Sequence, residues 1–194
     1  MLSLVLFKGG FFMFISIVVG VVLVLLYSIY VSVINKKNNV KEAMSGIDVQ
    51  LNKRYDLIPN LLKIAAKFME HEKEIFLAVT QYRENALKAQ TVAEKFDADS
   101  KLVGAMHQFN ARAENYPELK SDVTMSNVQA SLADVEEHIA ASRRFYNSAV
   151  KEYKNALEIF PSSVVAKMLG MKDEYPFYEA EEKVREGIDV KDFF

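Results

Sequence analysis

The sequence predicts an all-α protein, in which an N-terminal transmembrane helix is followed by an antiparallel bundle of about four long helices. Three observations lead to this prediction. An uninterrupted apolar run occupies residues 11–34. Behind it, apolar residues recur every three or four positions, which is the period of a helix buried on one side. Residues 47–160 contain only one glycine, Gly104, so few residues there would interrupt a helix.

The apolar run of residues 11–34 has no charged residue in 24 positions. About 20 apolar residues suffice to cross a bilayer as a helix. A secretory signal would end in a small-residue cleavage site, which this run lacks. We therefore predict that residues 11–34 contact the lipid bilayer as an uncleaved, single-pass anchor. Tyr27 and Tyr30 lie near its end, where aromatic rings favour the interface.

The basic residues that flank the run indicate its orientation. Lys36, Lys37 and Lys41 follow it closely, and positively charged flanks tend to stay in the cytoplasm. We predict a protein of the cell membrane, with residues 1–10 as a short extracytoplasmic N-terminus and the bulk of the chain in the cytoplasm.

Four apolar stripes follow the anchor and define a helical-bundle domain over residues 35–161. The first stripe consists of Met44, Ile47, Leu51, Tyr55, Ile58, Leu62, Ala65 and Met69. The second consists of Ile75, Val79, Tyr82 and Ala86. The third consists of Leu102, Ala105, Phe109, Ala113 and Tyr116. The fourth consists of Met125, Val128, Leu132, Val135, Ile139, Ser142, Tyr146, Ala149, Tyr153, Ala156 and Phe160. Such stripes must be covered by other helices, which favours a bundle core. The fourth stripe is also compatible with a coiled-coil dimer, because its repeat does not specify which partner covers it.

Pro59 interrupts the first stripe. Its ring nitrogen has no proton to donate to the carbonyl of Tyr55, one helical turn earlier. One interpretation is a kinked but continuous helix, and the other is a new helix that Asp56 caps. The apolar stripe keeps its phase from Met44 to Met69, so we predict the kink.

Polar clusters and prolines mark the other expected helix ends. Asp97, Asp99 or Ser100 is the expected N-cap of the third helix. Pro161 is expected to end the fourth helix, because the residue before a proline disfavours the helical region. Residues 162–194 are then predicted to form a short apolar helix and an acidic C-terminal tail.

The chain lacks the residue patterns of common catalytic and metal sites. It has no cysteine, which excludes disulfides, thiolate ligands and cysteine nucleophiles. None of His71, His107 and His138 follows a carboxylate by three positions, so the Glu-x-x-His pairs of di-iron bundles are absent. No phosphate-binding glycine loop and no hydrolase serine motif occurs. The formal net charge of −2 indicates no nucleic-acid surface. We predict a protein that is not an enzyme, with no cofactor, no metal and no nucleic-acid partner.

Several candidate interaction residues lie beside an aromatic residue or a proline. They are Arg54, Tyr55, Asp56, Pro59, Asn60, Arg143, Arg144 and Tyr146. Basic residues next to aromatic rings could dock acidic lipid or a protein partner. The basic residues occur as the pairs Lys53-Arg54 and Arg143-Arg144. The structural interpretation is that one residue of each pair forms a salt bridge inside the bundle, or packs the aliphatic part of its side chain over the core. Asp48, Asp56 and Asn60 would then cap the kink or pair with these cations.

The remaining candidates are Val164, Met168 and Leu169, in the short apolar segment of residues 164–171. This segment could pack back on the bundle, touch the bilayer or meet a neighbouring subunit, and packing back is the default because apolar surface seldom stays exposed. Residues 35–172 carry a net charge of +2, from 20 basic and 18 acidic residues, and residues 173–194 carry −5, from 3 and 8. Attraction between the tail and a neighbouring body is therefore possible, although salt screens it. Contacts of this head-to-tail kind build rings or open arrays, so we predict a homo-oligomer.

The chain also resembles the LemA family of bacterial membrane proteins, from about Tyr30 to Ala180. The resemblance is strongest in Ile47-Asp48-Val49-Gln50-Leu51, Arg54-Tyr55-Asp56-Leu57-Ile58-Pro59-Asn60-Leu61 and His71-Glu72-Lys73-Glu74. Further blocks are Ala141-Ser142-Arg143-Arg144-Phe145-Tyr146-Asn147-Ser148-Ala149-Val150, Tyr153 with Phe160-Pro161-Ser162, and Pro176-Phe177-Tyr178-Glu179-Ala180. The chain departs from the family pattern at residues 122–126 and 170–175.

The resemblance implies one N-terminal membrane helix, a cytoplasmic bundle of long helices and no established enzymatic activity. One branch of the family is associated with magnetosome membrane formation, which points to membrane shaping or scaffolding. Family neighbours include TPM-domain proteins and membrane metalloproteases. The function that we predict is a membrane-anchored scaffold or adaptor with membrane-protein partners. The alternatives are an accessory subunit of a membrane protease or other enzyme system and, less favoured, a metal-binding protein.

Overall fold

A computed structural model describes residues 2–179, with side chains from residue 13 onward, and contains six helices and no strand in this range. The helices are α1 (Leu2–Ala65), α2 (Lys73–Lys88), α3 (Val92–Ala113), α4 (Pro117–Ser121), α5 (Val123–Glu158) and α6 (Ser162–Met168). The all-α class is confirmed, and α1, α2, α3 and α5 each contain most of one predicted stripe. Met69, Tyr116 and Phe160 of these stripes lie beyond the helix ends. Most of the predicted acidic tail, residues 180–194, lies outside the described residues.

The chain divides into two compact units. Unit 1 takes its described residues from Met1–Lys41 and Ala149–Glu174, and unit 2 takes them from Glu42–Ser148 and Tyr175–Phe194. Helices α1 and α5 each contribute residues to both units.

The first half of α1 carries the predicted anchor. Its most apolar stretch has a mean hydropathy of 2.8, and only 6% of that stretch is buried. By length and composition, α1 could therefore span a membrane. Further along, Val33 and Val40 have no exposed surface and belong to the core of unit 1.

Helix α1 continues through Pro59 to Ala65, so a restart capped by Asp56 does not occur. The carbonyl of Tyr55, which Pro59 cannot satisfy, accepts a hydrogen bond of 2.6 Å from Nε of Arg83 in α2. The side chain of a neighbouring helix thus supplies the donor that the proline lacks.

Helix α3 begins earlier than predicted. Its N-cap is Thr91, whose Oγ1 accepts the backbone N–H of Glu94 at 3.2 Å, while the Glu94 carboxylate accepts the N–H of Thr91 at 3.0 Å. This reciprocal capping box satisfies two backbone donors at once and so fixes the start of the helix. The expectation that Asp97, Asp99 or Ser100 caps α3 was therefore wrong, because all three lie inside the helix.

Unit 2 is organised around a core to which all its helices contribute. Its largest fully buried side chains are Tyr146, Phe109, Ile47, Ile58, Leu61, Met69, Leu102, Leu119, Met125 and Ile139. Full burial of one such aliphatic or aromatic side chain contributes about 1.5–3 kcal/mol before the entropy of ordering is subtracted. The short α4 brings Leu119 into this core, and Asp122 then caps α5 by accepting the N–H of Met125 at 2.8 Å.

Unit 1 joins α1 to the end of α5 and to the segment that follows it. Lys36 pairs with Glu152 at 3.1 Å and Lys37 with Glu174 at 2.7 Å, while Lys154 pairs with Asp173 at 2.8 Å. Helix α5 ends at Glu158, just before Pro161, as predicted.

Helix α6 ends in a left-handed glycine. Gly170 has a φ of +64°, and the N–H of Met171 reaches back to the carbonyl of Ala166 at 3.0 Å. This is the Schellman arrangement that closes a helix C-terminus. Ala166 is buried, so one side of α6 packs on unit 1.

Candidate functional site

The centre of unit 2 holds a buried carboxylate. Asp99 of α3 has no exposed surface and accepts three hydrogen bonds. Nη1 of Arg54 donates to its Oδ1 at 2.5 Å, and its Oδ2 accepts from Nη2 of Arg143 at 2.8 Å and from the hydroxyl of Tyr178 at 2.5 Å. A buried charge is tolerated only when it is paired and hydrogen-bonded, and both oxygens of Asp99 meet that condition. We call Asp99, Arg54, Arg143 and Tyr178 the Asp99 cluster.

Arg54 connects the cluster to the surface. Its side chain is 5% exposed, and its second guanidinium nitrogen pairs with the side chain of Glu136 in α5, which is half exposed. One arginine thereby joins α1 to both α3 and α5. The planar guanidinium suits this role, because it presents several donors in a fixed fork.

Tyr178 fastens the segment after α6 onto unit 2. The centroid of its ring lies 4.0 Å from the ring centroid of Phe96. The same centroid lies 4.2 Å from Cζ of Arg143. Its N–H donates to Oδ1 of Asn147 at 2.8 Å, and its carbonyl accepts from Nδ2 of Asn147 at 2.9 Å. The hydroxyl of Tyr146 donates to the carbonyl of Pro176 at 2.9 Å. This non-helical segment is therefore held by side-chain hydrogen bonds.

The buried phenols are kept protonated. Burial raises the pKa of Tyr146 to about 12. Burial also raises the pKa of Tyr55 and of Tyr178 well above the ordinary value, and the negative charge of Asp99 raises both further. At neutral pH the hydroxyl of Tyr178 is therefore a hydrogen-bond donor to Asp99.

A groove opens beside the cluster. It has a volume of about 470 Å³, within the usual range of ligand pockets. Its lining residues come from α3, α4, α5 and the turns between them, with Arg54 from α1; they are Arg54, Val103, Met106, His107, Asn110, Ala113, Glu114, Leu119, Lys120, Met125, Gln129, Leu132, Ala133 and Glu136. Apolar walls with a few polar and charged groups are suited to binding an amphipathic partner.

A second, shallower depression lies between α1 and α5. It is lined by Lys53, Asp56, Leu57, Asn60, Ala130, Ser131, Asp134 and Val135. Two of the candidate residues from the sequence, Asp56 and Asn60, are thus exposed in this depression and not part of the Asp99 cluster.

The structure places the other candidate residues in three settings. Arg54 and Arg143 belong to the Asp99 cluster, as the structural interpretation predicted, while Tyr55 and Tyr146 are core residues of unit 2. Pro59 and Arg144 are exposed. Val164, Met168 and Leu169 are exposed in unit 1. Asp48 pairs with Lys95 at 2.8 Å, and not with one of the predicted cations.

Sequence reasoning missed Asp99, Glu136 and Tyr178. A signal for Asp99 was present, because it lies three positions before Leu102, on the phase of the third apolar stripe. A carboxylate at a core position requires buried cations. Arg54 gives the same signal, three positions after Leu51. No comparable signal indicated Tyr178, which lies outside the helices.

The Asp99 cluster has a structural role, because Asp99 binds donors from separate parts of the chain and holds them together. Its carboxylate has no surface for a ligand, and three donors from distant parts of the chain occupy its oxygens. Over residues 2–179, no group of three or more histidine, aspartate or glutamate residues is placed to hold a metal ion. The groove, and not the cluster itself, is thus the accessible part of the site.

The region of this chain that matches a known protein family covers nearly all of unit 2. The family model described as LemA family matches residues 43–193, which include all of unit 2 except Glu42 and the final residue, together with the part of unit 1 from Ala149 to Glu174. The chain belongs to the LemA family. The resemblance identified from the sequence is therefore confirmed.

Two relatives of this LemA-family chain illustrate its range. Protein LemA of Metamycoplasma hominis is 24% identical over 194 residues, covering 95% of this chain and 84% of the relative. Magnetosome protein MamQ of Magnetospirillum gryphiswaldense is 24% identical over 161 residues, covering 70% of this chain. The match spans 59% of the magnetosome protein's own length.

Proposed function

We propose that this LemA-family chain is a membrane-anchored helical scaffold or adaptor that holds protein partners at the bilayer surface. In this proposal residues 11–34 cross the cell membrane, the N-terminus lies outside and the bulk of the chain lies in the cytoplasm. The observation on which the proposal rests is the continuity of α1. One helix contains the exposed apolar stretch and also supplies core residues such as Val33 and Ile47, with no loop between them.

The groove of unit 2 supports binding of partners. Its walls include Met106, Leu119 and Leu132, and Arg54 and Glu136 provide charge beside them. An amphipathic helix docks in such a groove by inserting apolar side chains at helical spacing, while polar groups at the rim fix its orientation. We therefore propose a helical segment of a membrane-protein partner as the occupant.

The relatives are compatible with this role. A magnetosome protein and a protein named LemA are similar to the chain, and neither name describes a reaction. The positive-inside pattern at Lys36, Lys37 and Lys41 supports the proposed orientation.

A bulky charge in the groove is expected to remove partners. Ala133 is exposed on α5 and lines the groove, whereas Ala140 is exposed on the same helix outside the residues that line it. Ala133→Arg should prevent the capture of partners that the wild type and Ala140→Arg both bind, because only Ala133→Arg fills the groove. Affinity capture in mild detergent, followed by mass spectrometry, measures this. An identical set of partners for both variants would exclude the groove as the binding surface.

Self-association is the second part of the proposal. Light scattering of the full chain in mild detergent is expected to give a mass above that of one chain at micromolar concentration. Deleting residues 162–194 should lower that mass, because the deletion removes the net −5 of residues 173–194 that a neighbouring body of net +2 attracts. A monomeric full-length chain, or a truncated chain that assembles equally well, would contradict this mechanism.

A further inference from the structure

Unit 1 displays an apolar surface that no described residue covers. Its side chains are exposed to different degrees: Ile159 58%, Phe160 78%, Val164 50%, Met168 83% and Leu169 44%. We call these five residues the α6 face. Val164 and Met168 lie one turn apart on α6, and the other three residues flank this helix in sequence. Exposed apolar side chains concentrated in one short segment indicate a binding site for protein or membrane.

The position of the α6 face along α1 follows from contacts within unit 1. Helix α1 leaves this unit after Lys41, and α5 enters it at Ala149, so the two helices run antiparallel within it. Lys36 of α1 and Glu152 of α5 are paired at 3.1 Å, which fixes their register. Glu152 lies about 9 Å from the end of α5 at 1.5 Å per residue, and the same distance back along α1 from Lys36 reaches Tyr30.

After α5 ends, the chain forms α6 and then comes back to contact α5. The hydroxyl of Tyr153 donates to the carbonyl of Lys172 at 3.3 Å, and Lys154 pairs with Asp173 at 2.8 Å. Residues 159–171 therefore form an excursion within unit 1, which leaves α5 after Glu158 and returns beside Tyr153 and Lys154, about one helical turn earlier. The α6 face belongs to this excursion, which starts at the end of α5 that is level with Tyr30.

Tyr30 lies within the uncharged run of residues 11–34, four positions before its end. When α1 crosses a bilayer, this level corresponds to the boundary between acyl chains and headgroups, where aromatic rings concentrate. Amphipathic segments bury their apolar side about 5–10 Å into this boundary. Lipid is therefore the neighbour expected for any surface at this depth.

The charges of the excursion fit the same neighbour. Residues 159–172 contain two basic residues, Lys167 and Lys172, and no acidic one. Both lysines are exposed. Their ammonium groups can pair with anionic phospholipid headgroups while the α6 face enters the acyl region.

We propose that the α6 face is a second membrane contact, which inserts into the interfacial layer of the bilayer that α1 crosses. The chain then holds the membrane at two points, by a spanning helix and by a short interfacial one. This inference rests on the anchoring of α1 under the proposed function. It also assigns the exposed side of residues 164–171 to lipid, and not to a neighbouring subunit, while Ala166 packs on unit 1.

Fluorescence quenching by brominated lipid tests this proposal in the full chain. The sequence contains no tryptophan, so a single introduced tryptophan is the only indole. Phe160→Trp is reconstituted in vesicles of phosphatidylcholine and phosphatidylglycerol, either plain or brominated near the top of the acyl chains. We expect bromination to reduce its emission strongly, and lipids brominated near the chain ends to reduce it less. Met168→Trp reports on the same face from α6 itself, should the first variant disturb the turn at Pro161.

Two control variants separate the possible failures. Leu77→Trp lies on α2 in unit 2, where Leu77 is 69% exposed, and should keep its emission in both vesicle types. Phe14→Trp lies near the other end of the anchor, and its emission should be quenched most by lipids brominated near the top of the acyl chains. If Phe14→Trp is not quenched, the anchoring itself fails.

If Phe14→Trp is quenched but neither Phe160→Trp nor Met168→Trp is, the second membrane contact is wrong.

Discussion

Replacing Asp99 with asparagine is expected to destabilise the protein by about 3–5 kcal/mol, because the change leaves buried cations without their counter-charge. Asparagine has nearly the volume of aspartate, so little of the loss would come from packing. Arg143 donates to Asp99 from a largely buried position, and Arg54 keeps only its pair with the half-exposed Glu136. Urea unfolding of the full chain in detergent, followed by far-ultraviolet circular dichroism, measures the effect.

The matched control for this prediction is Asp97→Asn. Asp97 lies on the same helix and pairs with Lys101 at 2.7 Å, but both side chains are more than half exposed. Exposed pairs of this kind contribute little to stability, because water and salt screen them. Equal effects of the two substitutions would show that the Asp99 cluster does not hold unit 2 together.

The second large effect is expected at Arg83, and its size should depend on Pro59. Arg83→Met removes the donor to the carbonyl of Tyr55, and an unsatisfied buried carbonyl costs about 1–3 kcal/mol. Pro59→Ala should leave the protein folded, since it restores a backbone N–H that can bond to that same carbonyl. In the Pro59→Ala background, the cost of Arg83→Met should therefore fall by about 1–2 kcal/mol.

A double-mutant cycle measures this coupling from the unfolding free energies of the wild type, both single variants and the double variant. Arg144→Met serves as the control, because Arg144 is exposed on α5. Its effect should be small and the same with or without Pro59. A coupling near zero between Pro59 and Arg83 would mean that the proline does not create the acceptor that Arg83 uses.

The helices could be predicted because burial on one side imposes a local period on the sequence. The stripe from Met125 to Phe160 gave α5 almost to the residue, and the unbroken phase around Pro59 correctly indicated a continuous helix. The start of α3 is also encoded locally, by Thr91 and Glu94 at capping-box spacing. The N-cap predicted from the sequence was instead a nearby residue, Asp97, Asp99 or Ser100. That error arose from treating Asp97 and Asp99 as candidate caps, although both lie inside the helix.

The Asp99 cluster could be predicted only in part, because its members are far apart in sequence. Asp99 and Arg54 each occupy a core phase of their own helix, and this local signal identifies them as buried charges that need partners. Nothing local indicates that the partner of Asp99 includes Tyr178, 79 positions away in a non-helical segment. The exposure of the α6 face was likewise unpredictable, since apolar composition alone does not say whether a segment is covered.

The sequence separations within the Asp99 cluster also have a consequence for biosynthesis. Arg54 is made 45 residues before Asp99, whereas Arg143 follows it by 44 residues and Tyr178 by 79. Chains grow at about 5–20 residues per second, so several seconds pass between translation of Asp99 and translation of its last donor. By then the apolar stretch of α1 has long since emerged from the ribosome. Closure of unit 2 is therefore a late event, which follows synthesis of the apolar stretch that could span a membrane.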